Sequence, residues 1–411
     1  MESSLESGPA TVPVQAVGID VAAERARTPG APLAHHFNAA GAALPTETVV
    51  QAVVDHLRLE ERNGGYEAAN ARADQVEAVY RNAAALLNAE PAEIALFDSA
   101  STGLRTIIEA LRLGRRQRLL VSRSSYVSHA LHLMSLGRER DVELVVVPNA
   151  PGGAIDLEAL DRELATGGPA VVCVAHIPTS SGLVEPVVEI GALTRLHGAR
   201  YLLDATQSVA HLALDVRAIG CDALVTTGRK FLRAPRGTGF GYVSKDFVAS
   251  LTPTAPDVRG AVWTASKSWE LKDGARRFET WEASIAGRIG LGVALGEALA
   301  LGSGPTEAHL VGLAGRLRAA LAGIPAVTVQ DPPDSPSAIV TFTVGGLTAS
   351  QVNERLAVRN VRTVSVPATH AQWDLGARGV EAVVRASLHV YNDDSDTMAL
   401  VGAVTEIAQG V

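Results

Sequence analysis

The chain has 411 residues, 47% hydrophobic and 4% aromatic, with a formal charge of -8. That length can bury one large core or two moderate ones, and the acidic balance gives no cationic field for nucleic acid or an anionic membrane, so small-molecule partners are expected. No stretch reaches the roughly 18 uninterrupted apolar residues of a membrane span, and Met1-Glu2-Ser3-Ser4-Leu5-Glu6 lacks the basic-then-apolar order of a signal peptide, so a cytoplasmic location is expected.

Residues 1–30 are rich in Ser, Pro, Gly and Ala without a sustained period and read as a mobile N-terminal arm. From Thr46 apolar residues recur at helical spacing through Leu57. Short aliphatic or β-branched runs then alternate with helical stretches: Ile94 to Phe97, Leu119 to Ser122, Glu143 to Val147, Ala170 to Ala175, Tyr201 to Asp204, Ala223 to Thr226 and Gly239 to Val243. This alternation predicts an α/β fold with a doubly wound, mostly parallel sheet over residues 31–290. Beyond it, Val327 to Gln330, Ala338 to Val344 and Val383 to Val390 predict a smaller α/β domain over 291–411.

Ligands of such sheets bind beyond the carboxyl ends of the strands, where Asp204 and Lys230 are expected. A lysine amine holds an aldehyde as an imine, and an electron-poor pyridine ring then takes up carbanion electrons from a bound amino acid. That sink needs a protonated ring nitrogen, which a buried carboxylate favours. Lys230 is thus the candidate catalytic residue for pyridoxal 5'-phosphate (PLP), and Asp204 the candidate partner of the ring nitrogen. Gln207 is placed to donate to the ring 3-hydroxyl oxygen and Thr227 to reach the phosphate. Ser101 and Thr102 follow a predicted strand and open a helix whose free amides suit an anion, with simple N-capping by Ser99 or Ser101 as the plainer reading. Cys173 and Cys221 fall in apolar runs and read as packing residues, since a disulfide framework or metal site needs more ligands at closer spacing. Gly237-Thr238-Gly239-Phe240-Gly241 runs into a strand and not a helix, so it is no dinucleotide loop.

From Phe37-Asn38-Ala39-Ala40-Gly41 to Arg385-Ala386-Ser387-Leu388-His389-Val390-Tyr391-Asn392 the chain resembles class V aminotransferase-type enzymes, a branch of the fold type I PLP enzymes. The resemblance implies that Tyr126 stacks on the cofactor ring, with His129 making a polar contact nearby. It also implies that Thr179 replaces an Asn near the cofactor hydroxyl and that Arg229, where desulfurases have His before the imine lysine, is a cofactor-binding residue. Arg385 would receive the substrate carboxylate, for which a guanidinium fork is suited, with Asn38 and Tyr66 on the substrate side. Thr280 would reach the cofactor phosphate of a neighbouring subunit, which implies a homodimer with sites at the interface. A binding-only member would be expected to have lost its lysine, carboxylate or arginine, and all three are present.

The same resemblance points to a reaction. The segment around Val361 to Ala368, which corresponds to the mobile loop where desulfurases carry a nucleophilic cysteine, has none. A persulfide-forming cysteine desulfurase is therefore not expected. Asn63-Gly64-Gly65-Tyr66-Glu67-Ala68 and Gly228 to Gly239 resemble hercynylcysteine sulfoxide lyases and related lyases of S-cysteine conjugates in secondary metabolism, although Ala234 stands where a Gly is usual. The expectation is a carbon-sulfur lyase that eliminates the sulfur group of an S-substituted cysteine or its sulfoxide, giving a thiol, pyruvate and ammonia. A decarboxylating deaminase of the same conjugates, or a class V aminotransferase or epimerase, are the alternatives.

Overall fold

A computed structural model describes residues 18–410. Seven strands form the central sheet: β1 (Ile94–Phe97), β2 (Arg118–Val121), β3 (Glu143–Val146), β4 (Ala170–Ala175), β5 (Arg200–Asp204), β6 (Ala223–Thr227) and β7 (Gly239–Val243). Their order is β1-β7-β6-β5-β4-β2-β3. The pairs from β6 to β3 are parallel, and β7 is antiparallel to both β1 and β6. Parallel strands covered on both faces read as continuous apolar runs, and side chains along them alternate between faces. Tyr201 and Leu203 accordingly enter one core and Leu202 the other, with Val172 and Val174 beside the first pair and Cys173 beside Leu202. Cys173 and Cys221 are each 4% exposed and unbridged, packing residues as their runs suggested.

Helices α1 (Glu47–Asn63), α2 (Ala73–Leu87), α3 (Ala100–Ala110), α4 (Val127–Arg140), α5 (Ile285–Leu301), α6 (Ser303–Ala322) and α7 (Asp394–Gln409) accompany the sheet and its smaller partner. A hairpin, β8 (Ala261–Ala265) with β9 (Ser268–Leu271), stands apart from both sheets. The smaller sheet has β10 (Val327–Val329), β11 (Ile339–Val344), β12 (Val364–Pro367) and β13 (Ala382–Ser387), all antiparallel in the order β10-β11-β13-β12, with a core of its own. Among the described residues no single helix is long and apolar enough to cross a membrane.

Two expected boundaries need correction. The division at residue 290 cuts through α5, which packs on α1 and α2 of the larger unit. The chain turns instead at Gly302, whose φ of 79° lies where glycine is at ease. The expected mobile arm is also shorter, because Val21–Ala26 is a docked helix: Arg25 bonds Asp396 at 2.7 Å and buried Glu24 bonds Arg233 at 2.9 Å. Residues 1–17 of that arm lie outside the described residues.

Candidate active site

Asp204 ends β5 and Thr227 ends β6, with Lys230 three residues on, all at the carboxyl edge of the parallel strands. The turn between them folds back tightly. Gly228 donates to the Thr238 carbonyl at 2.8 Å and accepts from the Ala234 amide at 2.9 Å. A Cβ on Gly228 would lie 2.4 Å from Thr238 Oγ1, so only glycine fits this position. Thr227 Oγ1 donates to the same Thr238 carbonyl at 3.2 Å. Arg233 holds a left-handed φ of 60°, an uncommon conformation for a side-chain-bearing residue. Its guanidinium is fastened by Glu24 and by the Leu44 carbonyl at 2.8 Å, and lies over the Tyr391 ring.

Below this loop lies a stack of rings: His211 on Phe231 at 4.3 Å, Phe231 on His389 at 5.9 Å, and His389 on Tyr391 at 5.1 Å. The hydrogen bonds fix both imidazoles as neutral tautomers. His211 Nδ1 donates to the Gln207 carbonyl while Nε2 accepts from the Ala338 amide, and His389 Nε2 donates to the Phe231 carbonyl while Nδ1 accepts from Val390. The stack joins the lysine loop to the smaller sheet.

Lys230 is 7% exposed, has no ion-pair partner among the described residues, and places Nζ 5.9 Å from the centre of the Tyr126 ring. Burial first, then Arg229 and Arg385, push its amine down to about 7 from an ordinary 10.5, with Asp204 opposing. Burial alone would raise the Asp204 carboxyl. The imidazole of His129, 3.0 Å from Oδ2, and the Thr206 amide, 3.0 Å from Oδ1, bring it below the ordinary carboxylate range instead.

The anion-binding elements surround this pair. Ser99 caps α3 by accepting the Thr102 amide at 3.2 Å, which settles the capping choice and leaves Ser101 and Thr102 in the first turn. The start of β7 presses against that turn, since a Cβ on Gly239 would lie 3.3 Å from the Ser99 backbone. Arg385, on β13, donates through Nη1 to Thr179 Oγ1 at 2.6 Å and through Nη2 to Asn38 Oδ1 at 3.3 Å. Its Nε is buried without a partner, and no carboxylate among the described residues pairs with it. Burial first and then Arg229 lower its guanidinium to about 10. Arg229 itself donates to the Gly41 carbonyl.

Lys230, Asp204, Gln207, Tyr126, Thr179, Thr227, Arg229, Arg385 and Asn38 are thus gathered around one strand-end region, with Ser101 and Thr102 at its rim. The Gln207 amide nitrogen bonds the Ala40 carbonyl at 3.1 Å, and its buried Oε1 has no partner among the described residues. Tyr66 and Thr280 are not brought to Lys230 within this chain. Tyr66 is 72% exposed beside Trp281, and the Thr280 hydroxyl donates to the Glu282 carbonyl at 3.2 Å. Sequence reasoning gave His129 only a general polar contact. One helical turn after Tyr126, its ring meets that ring edge-on at 5.9 Å and reaches Asp204.

A free, depressed amine, a carboxylate held ionised beside it, an aromatic ring over the lysine and a helix N-terminus suit an aldehyde cofactor carrying a phosphate and a basic ring nitrogen. Residues 35–400 match the class V aminotransferase family, and the chain belongs to this family. PLP is its cofactor. A probable cysteine desulfurase of Methanothermobacter thermautotrophicus is 28% identical over 384 residues, 91% of this chain and 95% of that protein. The Escherichia coli cysteine desulfurase CsdA superposes with a TM-score of 0.88 at 22% identity, over 95% of this chain and 99% of its own. A variant of C-DES with glycine covalently linked to PLP superposes with a TM-score of 0.84 at 20% identity, over 93% and 99%.

These findings correct the expected reaction. Curated relatives that match over nearly the whole chain are named cysteine desulfurases, the activity against which the absent loop cysteine argues. These relatives are not named hercynylcysteine sulfoxide lyases, and the expected elimination from an S-substituted cysteine loses its support. The physical fault lay in using one absent thiol to decide which amino acid is bound. A thiol receives sulfur, whereas the amino acid is chosen by the carboxylate and amine sites.

Proposed function

We propose that this protein removes the sulfur of L-cysteine to leave alanine, passing the sulfur to a thiol outside the chain. The observation that carries the amino-acid part is the unpaired, buried Arg385 fork beside the depressed Lys230 amine. The names of the curated relatives supply the cysteine. Bound PLP supplies an electron sink for the substrate α-carbon. Arg385 would bind the substrate carboxylate, Tyr126 would hold the cofactor ring, and Asp204 would balance the charge of its nitrogen. Lys230, brought to about 7 and so partly neutral at that pH, would accept the α-proton and return it.

The chain contains two cysteines. Burial pushes both Cys173 and Cys221 up to about 12, so neither presents a thiolate. The acceptor thiolate bonds to the substrate sulfur, the carbon-sulfur bond breaks with its electron pair going to Cβ, and Cβ takes a proton. Alanine and a persulfide of the acceptor are the products. With L-cysteine and an added small-molecule thiol, the PLP-loaded protein should form alanine and persulfide in equal amounts. Alanine formation should rise with thiol concentration. Pyruvate and ammonia in place of alanine, or no turnover of cysteine, would sink the reading.

A second copy of the chain completes the proposal. Trp263 on β8 pairs across the hairpin with Trp269 on β9, and they are 80% and 47% exposed. Trp281 and Tyr66 lie on a cavity with Arg259, which adjoins the base of this hairpin. Solvent-facing aromatics of this size mark an interaction face. Sedimentation should give twice the mass of one chain, and Trp263→Glu should shift it toward the monomer; a wild-type monomer at micromolar concentration would refute the dimer.

A further inference from the structure

Asp204 is the candidate partner of the cofactor ring nitrogen, and that role depends on a group that holds its carboxylate in place. His129 does so by geometry. It lies in the first turn of α4 and is 4% exposed, and its Nδ1 is 3.0 Å from Asp204 Oδ2. Asp204 only accepts hydrogen bonds when ionised, so Nδ1 carries the hydrogen. The other ring nitrogen, Nε2, is buried without a partner among the described residues, and the ring lines a small, mostly apolar cavity with Leu104, Leu133, Cys173 and Val174. The imidazole therefore has one polar tie, and that tie is to Asp204. The second carboxylate oxygen takes the Thr206 amide. Tyr126, one helical turn before His129, packs edge-on against its ring and lies beside Lys230. His132 is the other titratable group near it on α4, and Lys230, Arg229 and Arg385 are the cations on the Asp204 side.

We propose that His129 is a positioning residue for the cofactor: it orients Asp204 and keeps it ionised, so that the pyridine nitrogen of bound PLP stays protonated. A buried carboxylate without this donor would tend toward its neutral form. It would then return less charge to the ring nitrogen, and the electron sink would weaken. This holds for any reaction run on the ring and is independent of the fate proposed for the sulfur.

The test uses protein loaded with PLP carrying nitrogen-15 at the ring position, whose resonance reports protonation directly. In the wild type the nitrogen should remain protonated through neutral pH. In His129→Ala its titration midpoint should fall by about one unit or more, since a unit corresponds to the loss of a modest charged contact. His129→Asn should hold the wild-type midpoint, because its amide N–H replaces Nδ1–H. His129→Gln, whose amide reaches toward the Nε2 side, should be displaced as the alanine variant is. The Asn and Gln pair decides the matter if His129→Ala does not load. Midpoints for Asn and Gln that coincide would overturn the proposal. So would an unmoved midpoint in His129→Ala, even with a lower melting temperature.

Discussion

Lys230→Ala should lose turnover by about a thousandfold or more, as expected when a residue combines the covalent anchor of the cofactor with proton transfer. The variant should still hold PLP through α3, Asp204 and Tyr126, so cofactor content and melting temperature should change little. What disappears is the visible band of the lysine-bound aldehyde. The unmodified amine gives a second, sharper reading. Only the neutral amine attacks an aldehyde, and burial, Arg229 and Arg385 bring the Lys230 amine to about 7. Capture of PLP by cofactor-free protein should therefore accelerate as pH rises through about 7 and level off near 8. An ordinary lysine would still be accelerating at pH 9. Turnover by Lys230→Ala within tenfold of wild type would remove the residue from the chemistry.

The strand framework was legible because it depends on local signals. β1, β4 and β7 occupy the expected residues, and the other large-sheet strands differ by one residue at one or both ends. Both faces of that sheet are covered, so apolar runs had no competing amphipathic reading. The hairpin β8–β9 was missed for the opposite reason. Four of the five residues of β8 are exposed, and its solvent-facing tryptophans give no inside-outside alternation. The docking of Val21–Ala26 was equally hidden, because it depends on Asp396 and Arg233, more than 200 positions away.

At the candidate site, Asp204 and Lys230 were legible because their chemistry ties them to a strand end, and Arg385 because a charged side chain stands in an apolar run. The contacts that hold these side chains were not legible. The Asn38 contact to Arg385 spans 347 positions, and the His129 tie to Asp204 crosses from one strand-helix unit to another. The spacing of Tyr126 and His129 on one helix was the available signal, since residues three apart share a face.

Arg385→Met should produce opposite effects on function and stability. The guanidinium is 4% exposed on β13 with three bonds to neutral oxygens, no carboxylate partner among the described residues and an orphaned Nε. An unpaired buried cation costs several kcal/mol of desolvation that neutral acceptors only partly offset. A substrate carboxylate entering the fork relieves that cost, so the same feature that destabilises the empty site contributes to affinity. Two charge-assisted bonds at about 1.5–3 kcal/mol each predict a loss of roughly two to four orders of magnitude in kcat/KM for the amino acid. Methionine is apolar and close in length, so the ligand-free variant should melt at the wild-type temperature or above it. Arg385→Lys should retain the charge but lose the fork, and fall between the two in kcat/KM. A melting temperature well below wild type in Arg385→Met, with kcat/KM preserved, would show that the arginine serves the packing of β13 and not the substrate.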